Sequence, residues 1–102
     1  MAEVNDILQA AIERGGSDVF IIPGSCVRLK VAGEVQPLMD TVLKPEDTRR
    51  LIKQVYDLDH REMIRLIEQG DDDFSFSISG VGRFRCNAYQ QRNSYAMVLR
   101  VV

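Results

Sequence analysis

The 102-residue sequence contains one histidine, His60, and two cysteines, Cys26 and Cys86. A single imidazole argues against a histidine-based metal site, and no metal site is expected. The two cysteines lie far apart and read as inert core thiols, with one disulfide as the alternative. No apolar run approaches the ~18 residues that span a bilayer. The N-terminal stretch carries acids and no long apolar segment, so it does not read as a signal peptide, and a cytoplasmic protein without membrane insertion is expected. Basic residues are not in excess: 13 Lys and Arg stand against 15 Asp and Glu, a net charge of −2. That balance argues against a general nucleic-acid or anionic-membrane binder. No GxxxxGK[ST] sequence occurs, so the chain has no P-loop and is not expected to be an enzyme by itself. Internal repeats and low-complexity stretches are absent as well.

What remains describes one globular domain over residues 1–102, with 45% hydrophobic and 27% charged residues. Val4, Ile7, Leu8, Ala11 and Ile12 recur at helical spacing, and Gly15-Gly16 ends that helix. Ser17-Asp18 reads as a turn leading into the apolar strand Val19 to Ile22, rather than as a nucleophile and its partner, because no base lies nearby. Val27, Leu29 and Val31 alternate with Arg28 and Lys30. Ala32-Gly33-Glu34 turns the chain, and Pro37 assigns the returning strand to a sheet edge. Pro45, Glu46 and Asp47 open a helix whose stripe is Thr48, Leu51, Ile52, Val55 and Tyr56. Asp59 and Glu62 have capping-box spacing, predicting a second helix with Met63, Leu66 and Ile67 inward and Gly70 at its end. Three strands follow: Phe74 to Ile78, Arg83 to about Gln91, and Tyr95 to Val102. The order αβββααβββ predicts an α+β two-layer domain, an antiparallel sheet packed on about three helices. The strand-like end at Val102 is expected to mark a fragment of a longer protein.

Charge is segregated along the chain. Seven acids and two arginines lie between Asp57 and Asp73, whereas Arg83, Arg85, Arg92 and Arg100 stand in the last twenty residues without a lysine or an acid. Arg83 and Arg85 are two apart on a strand, so both leave the same face. One reading is a solvated face whose arginines pair with Asp71, Asp72 and Asp73. A second is a phosphate-reading face, since bidentate phosphate contact favours arginine over lysine. A third is an RNA-stacking stripe of Arg83, Arg85 and Tyr89, which the acidic total disfavours.

The stretch DDDFSFSISGVGRFRCNAYQQRNSYAMVLR closely resembles the N-terminal domain of the twitching-motility, or type IV pilus retraction, ATPases (PilT-type) of the secretion ATPase superfamily. ILQAAIERGGSDVFI and VRLKVAGEVQPL fit the same pattern in the same order, so the resemblance covers essentially the whole chain. Relatives often have histidine, proline and aspartate where this sequence has Phe20, Cys26 and Ala32. The resemblance implies a PAS-like, non-catalytic N-terminal domain. The RecA-like ATPase domain, with its ATP and Mg, would lie outside this chain. It implies a homohexamer at the cytoplasmic face of the inner membrane, whose partners are its own RecA-like domain, adjacent subunits and the pilus platform. By motif match, Arg83, Arg85 and Arg100 reach toward ATP phosphates, with Arg92 a weaker candidate in a variable turn. The alternative is an interaction and assembly module of a pilus-extension or type II secretion ATPase. A small-ligand sensor rests on PAS-like analogy alone.

Overall fold

The computed structural model describes residues 4–102. Helix α1 (Val4–Glu13) leads into strand β1 (Gly16–Ile21), and β2 (Arg28–Val31) and β3 (Glu34–Pro37) form a hairpin. Helices α2 (Pro45–Leu58) and α3 (Ile64–Gln69) follow, then β4 (Asp71–Ile78), β5 (Gly82–Gln91) and β6 (Ser94–Val101). The six strands make one antiparallel sheet in the order β3-β2-β1-β6-β5-β4. The expected α+β order and the edge position of the Pro37 strand are both present. The sheet closes where β1 meets β6, joining the first and last thirds of the chain, with Asp18 opposite Arg100 and Phe20 opposite Val98.

Apolar periodicity decides which side of the sheet is covered. Val4, Ile7, Leu8 and Ala11 of α1 and Leu51, Ile52, Val55 and Tyr56 of α2 are buried against Val19, Ile21, Leu29, Phe84, Met97 and Leu99. An aromatic series ties helix to sheet: ring centroids are 4.9 Å apart for Tyr56–Phe74, 6.3 Å for Phe74–Phe76 and 5.5 Å for Phe76–Phe84. Such contacts add to the area that aromatic side chains bury. The opposite face of the sheet carries Ser75, Ser77, Arg83, Arg85, Asn87 and Arg100, all exposed.

Several local expectations are corrected. Strand β1 begins at Gly16, so Ser17 and Asp18 are strand residues and not a turn. Of the Gly15-Gly16 pair, only Gly15 has a left-handed backbone, at φ 71°. Gly16 is there for space: a Cβ on it would overlap the Leu29 side chain and sit 3.1 Å from the Ala11 carbonyl oxygen. The Asp59–Glu62 capping box does not form. Asp59 instead ends α2, its carboxylate meets Arg61 at 3.2 Å, and α3 starts only after Met63. On so short a helix only Leu66 is buried, and Ile67, expected inside, is 49% exposed. At the start of α2, Lys44 makes no side-chain cap, and Asp47 accepts the Lys44 backbone N–H at 2.8 Å. Cys86 is buried in the core as expected, whereas Cys26 is only half-buried.

Candidate functional site

Strand pleating places the four candidate arginines. Arg83 and Arg85 occupy alternate positions of β5 and emerge together on the uncovered face. Arg85 is the direct cross-strand partner of Arg100 on β6, and Arg83 lies opposite Ser77 on β4. Three guanidinium groups therefore share one face at one end of the central strands. Arg92 does not join them. It sits in the β5–β6 turn with φ 58°, seven residues beyond Arg85, roughly 23 Å along a strand at about 3.3 Å per residue.

The solvated-face reading, with these arginines tied to Asp71, Asp72 and Asp73, does not match the geometry. The three aspartates alternate about the sheet. Asp72 points into the core, accepting the Tyr56 hydroxyl at 2.9 Å and lying 3.7 Å from Arg65 Nε. Asp71 and Asp73 face outward opposite Tyr89 and Asn87. Among the described residues, the side chains of Arg83 and Arg85 make no ion pair and no hydrogen bond. Arg100 does have a partner: its Nε lies 3.8 Å from Asp18 Oδ1 on β1. With the arginine side chain 73% exposed, that contact is worth at most about 1 kcal/mol. Two arginines directly opposite on neighbouring strands repel each other, so the pair stays receptive to an anion. A depression of about 310 Å³ opens beside it, lined by Asp18, Asp73, Arg85, Asn87, Val98 and Arg100.

The donor set suits phosphate oxygens, since each guanidinium offers a planar fork of N–H groups. It does not suit a metal: among the described residues, no group of three or more histidine, cysteine or acidic side chains converges. Asp18 and Asp72 are the informative residues that sequence reasoning placed wrongly, Asp18 in a turn and Asp72 on the solvated face. The shared parity of Asp72, Phe74 and Phe76 on β4 is a signal that puts Asp72 inside. The Tyr56 partner that stabilises it there comes from another element. Burial of the Tyr56 hydroxyl, reinforced by its bond to Asp72, raises its pKa above the ordinary tyrosine value. Burial also pushes the Cys86 thiol up to about 12, with Asp59 and Asp73 adding to the effect, so this cysteine is not a nucleophile. Two further arginines are held by rings on the helical side: Arg61 stands 4.4 Å from the Phe74 centroid and Arg49 stands 5.4 Å from that of Tyr95.

Comparison with known proteins places this geometry. No protein-family model matches the chain. It is 40% identical over 98 residues to the type IV pilus ATPase PilU of Pseudomonas aeruginosa, covering 96% of this chain and 25% of that protein. It is 27% identical over 101 residues to the type IV pilus retraction ATPase PilT of the same organism, covering 98% of this chain and 28% of that protein. Among solved structures, the pilus retraction motor PilT with bound ADP superposes with a TM-score of 0.83 at 37% identity, over 98% of this chain and 29% of that one. The Legionella pneumophila ATPase DotB superposes with a TM-score of 0.79 at 19% identity, over 99% of this chain and 29% of that one, a likeness of fold alone. The chain thus spans about a quarter of the length of its curated relatives, at their N-terminal end. Among the described residues, no helix is long and apolar enough to cross a membrane.

Proposed function

We propose a role for this chain from the premise that it belongs with the N-terminal domains of the PilT-type pilus ATPases. Its uncovered sheet face presents Arg83, Arg85 and Arg100 to the phosphates of ATP held by a RecA-like domain outside this chain. The observation that carries this reading is the facing pair Arg85 and Arg100, with Arg83 beside it and no carboxylate on Arg83 or Arg85. ATP and Mg bound by the RecA-like domain supply the phosphoryl chemistry. The chain's own contribution is electrostatic: its guanidinium groups bind phosphate oxygens and offset charge that builds up during transfer. Arginines used in this way typically contribute 10³–10⁵ in rate, about 4–7 kcal/mol of barrier. Arg92, at the far end of the hairpin, has no part in it.

Two or three exposed arginines do not make a nucleotide site alone. Charge-assisted hydrogen bonds contribute roughly 1.5–3 kcal/mol each, whereas association costs on the order of 4–15 kcal/mol. The isolated chain therefore holds ATP no tighter than about millimolar and does not hydrolyse it. In a homohexamer at the cytoplasmic face of the inner membrane, the same face would couple nucleotide state to the position of the neighbouring subunit, and so to the pilus platform. The test is Arg85→Ala in the intact ATPase. Turnover should fall at least about tenfold, equivalent to 1.4 kcal/mol of barrier, with the oligomer unchanged. Full turnover by correctly assembled Arg85→Ala enzyme would remove the proposal.

A second reading, an assembly module of an extension or secretion ATPase, is favoured by the opposite side of the molecule. Ile64 and Ile67 are 53% and 49% exposed beside a groove of about 370 Å³ between α2 and α3. Exposed apolar residues that line a groove suit a contact surface. Under this reading, arginine variants keep turnover and Ile64→Glu loses assembly.

A further inference from the structure

We infer that Asp18 is a resident counter-ion, holding Arg100 in the empty site and giving it up when a phosphoryl group arrives. The inference deepens the proposed arginine role and rests on it. Along one row of the uncovered face, strand by strand, stand Lys30, Asp18, Arg100, Arg85 and Ser75, each the cross-strand partner of the next. Without the Asp18 charge the row would hold Lys30, Arg100 and Arg85 with no acid among them, the last two directly opposite each other. Like charges directly opposite on adjacent strands destabilise a sheet, and Asp18 relieves this row from one side, its carboxylate 3.8 Å from Arg100 Nε. Its side chain is only 18% exposed, whereas that of Arg100 is 73% exposed. The carboxylate is therefore fixed by the fold, and the arginine is the partner free to move.

A phosphoryl group entering the depression beside Arg85 and Arg100 meets that same carboxylate. Asp18 weakens its binding twice, by occupying Arg100 and by repelling a second anion at close range. The site selects for an anion strong enough, or held firmly enough by another domain, to displace a built-in competitor. A lone phosphate in solution does not meet that condition. The empty arginines are thereby kept from binding anions indiscriminately.

Pyrophosphate titration of the chain at about 0.1 M salt, followed by backbone and arginine Nε–H resonances in NMR, tests this. Asp18→Asn should bind pyrophosphate at least about fivefold tighter than the unmodified chain. Asp71→Asn removes the same charge from the same face, but it lies opposite Tyr89, four strand residues from Arg85. That separation exceeds a Debye length of about 10 Å at 0.1 M salt, so Asp71→Asn should change affinity by less than about twofold. Arg85→Ala should abolish binding. Should Asp18→Asn fail to fold, Asp18→Ser carries the same expectation. In the unmodified chain, the Arg85 and Arg100 Nε–H resonances should move and saturate together. Asp18 variants that bind no better than Asp71→Asn, or an Arg100 resonance that stays still while that of Arg85 shifts, would overturn the inference and leave the arginine role standing. Unchanged binding by Arg85→Ala would instead overturn the arginine role itself.

Discussion

The two faces of the sheet treat charge in opposite ways. On the covered face the only buried acid among the described residues, Asp72, is met by the Tyr56 hydroxyl and by Arg65. No buried side-chain nitrogen or oxygen among the described residues lacks a hydrogen-bond partner. On the bare face Arg85 stands opposite Arg100, and Asp18 lies 3.8 Å from Arg100 Nε. A buried ion left unpaired costs several kcal/mol, so folding does not tolerate one. An exposed like-charge pair costs little because water screens it. Fold stability therefore resides on one face, and the other is free to hold an arrangement whose value appears only when an anion is supplied.

That division predicts that substitutions segregate by face. Phe84→Ala, which removes the fully buried β5 end of the aromatic series, should lower unfolding free energy by about 3–5 kcal/mol. Arg85→Ala, one residue along the same strand, should change it by no more than about 0.5 kcal/mol. Urea unfolding of both checks this, and a large loss in Arg85→Ala would break the division. Tyr56→Phe takes the short donor from the buried Asp72 carboxylate and should cost about 1.5–3 kcal/mol, readable in the same unfolding experiment.

Alkaline pH sharpens the comparison, because the groups with raised pKa values lie on the covered face. The Cys86 thiol moves from its ordinary value near 9 up to about 12 through burial, and Tyr56 moves in the same direction for the same leading reason. The unfolded chain therefore releases these protons first. Their contribution to stability is complete below about pH 9 and is lost as pH rises toward 12, at up to about 1.4 kcal/mol per pH unit for each group. Thermal melts from pH 7 to 11 should fall along that slope, and Cys86→Ala should flatten its onset. The smallest expected effect lies away from both faces, in the β2–β3 turn. Ala32 sits there with φ 50°, a backbone region that glycine occupies without strain. Ala32→Gly should raise stability by roughly 0.5 kcal/mol, the relief of left-handed strain less the extra entropy of an unfolded glycine. A lower melting temperature would contradict it.

Most of the fold is legible in the sequence because its periodicities are clean. Phe74, Phe76 and Ile78 against Ser75 and Ser77 assign both faces of β4 by alternation alone. The α2 stripe from Thr48 to Tyr56 is equally plain. The α2–α3 junction was not legible. Asp59 and Glu62 have the spacing of a capping box, yet the Asp59 carboxylate pairs with Arg61, and α3 is left too short to bury Ile67. A local motif gave way to a nearby competing contact. At the candidate site, the pairing of Arg83 with Arg85 was readable from their two-residue spacing. The exclusion of Arg92 followed from strand length once β5 was seen to run to Gln91.

What the sequence alone determined is the set of elements and the face most residues take, because both depend on periods of 2 and 3.6 residues that short stretches of chain already display. Only the tertiary structure decided which residues meet across strands. β1 and β6 are neighbours in the sheet although some eighty residues of chain separate Asp18 from Arg100, and no local period encodes that register. The register makes Arg85 face Arg100 and gives Arg100 an aspartate. The chemistry of the bare face thus follows from how the two ends of the chain close the sheet on a shared core.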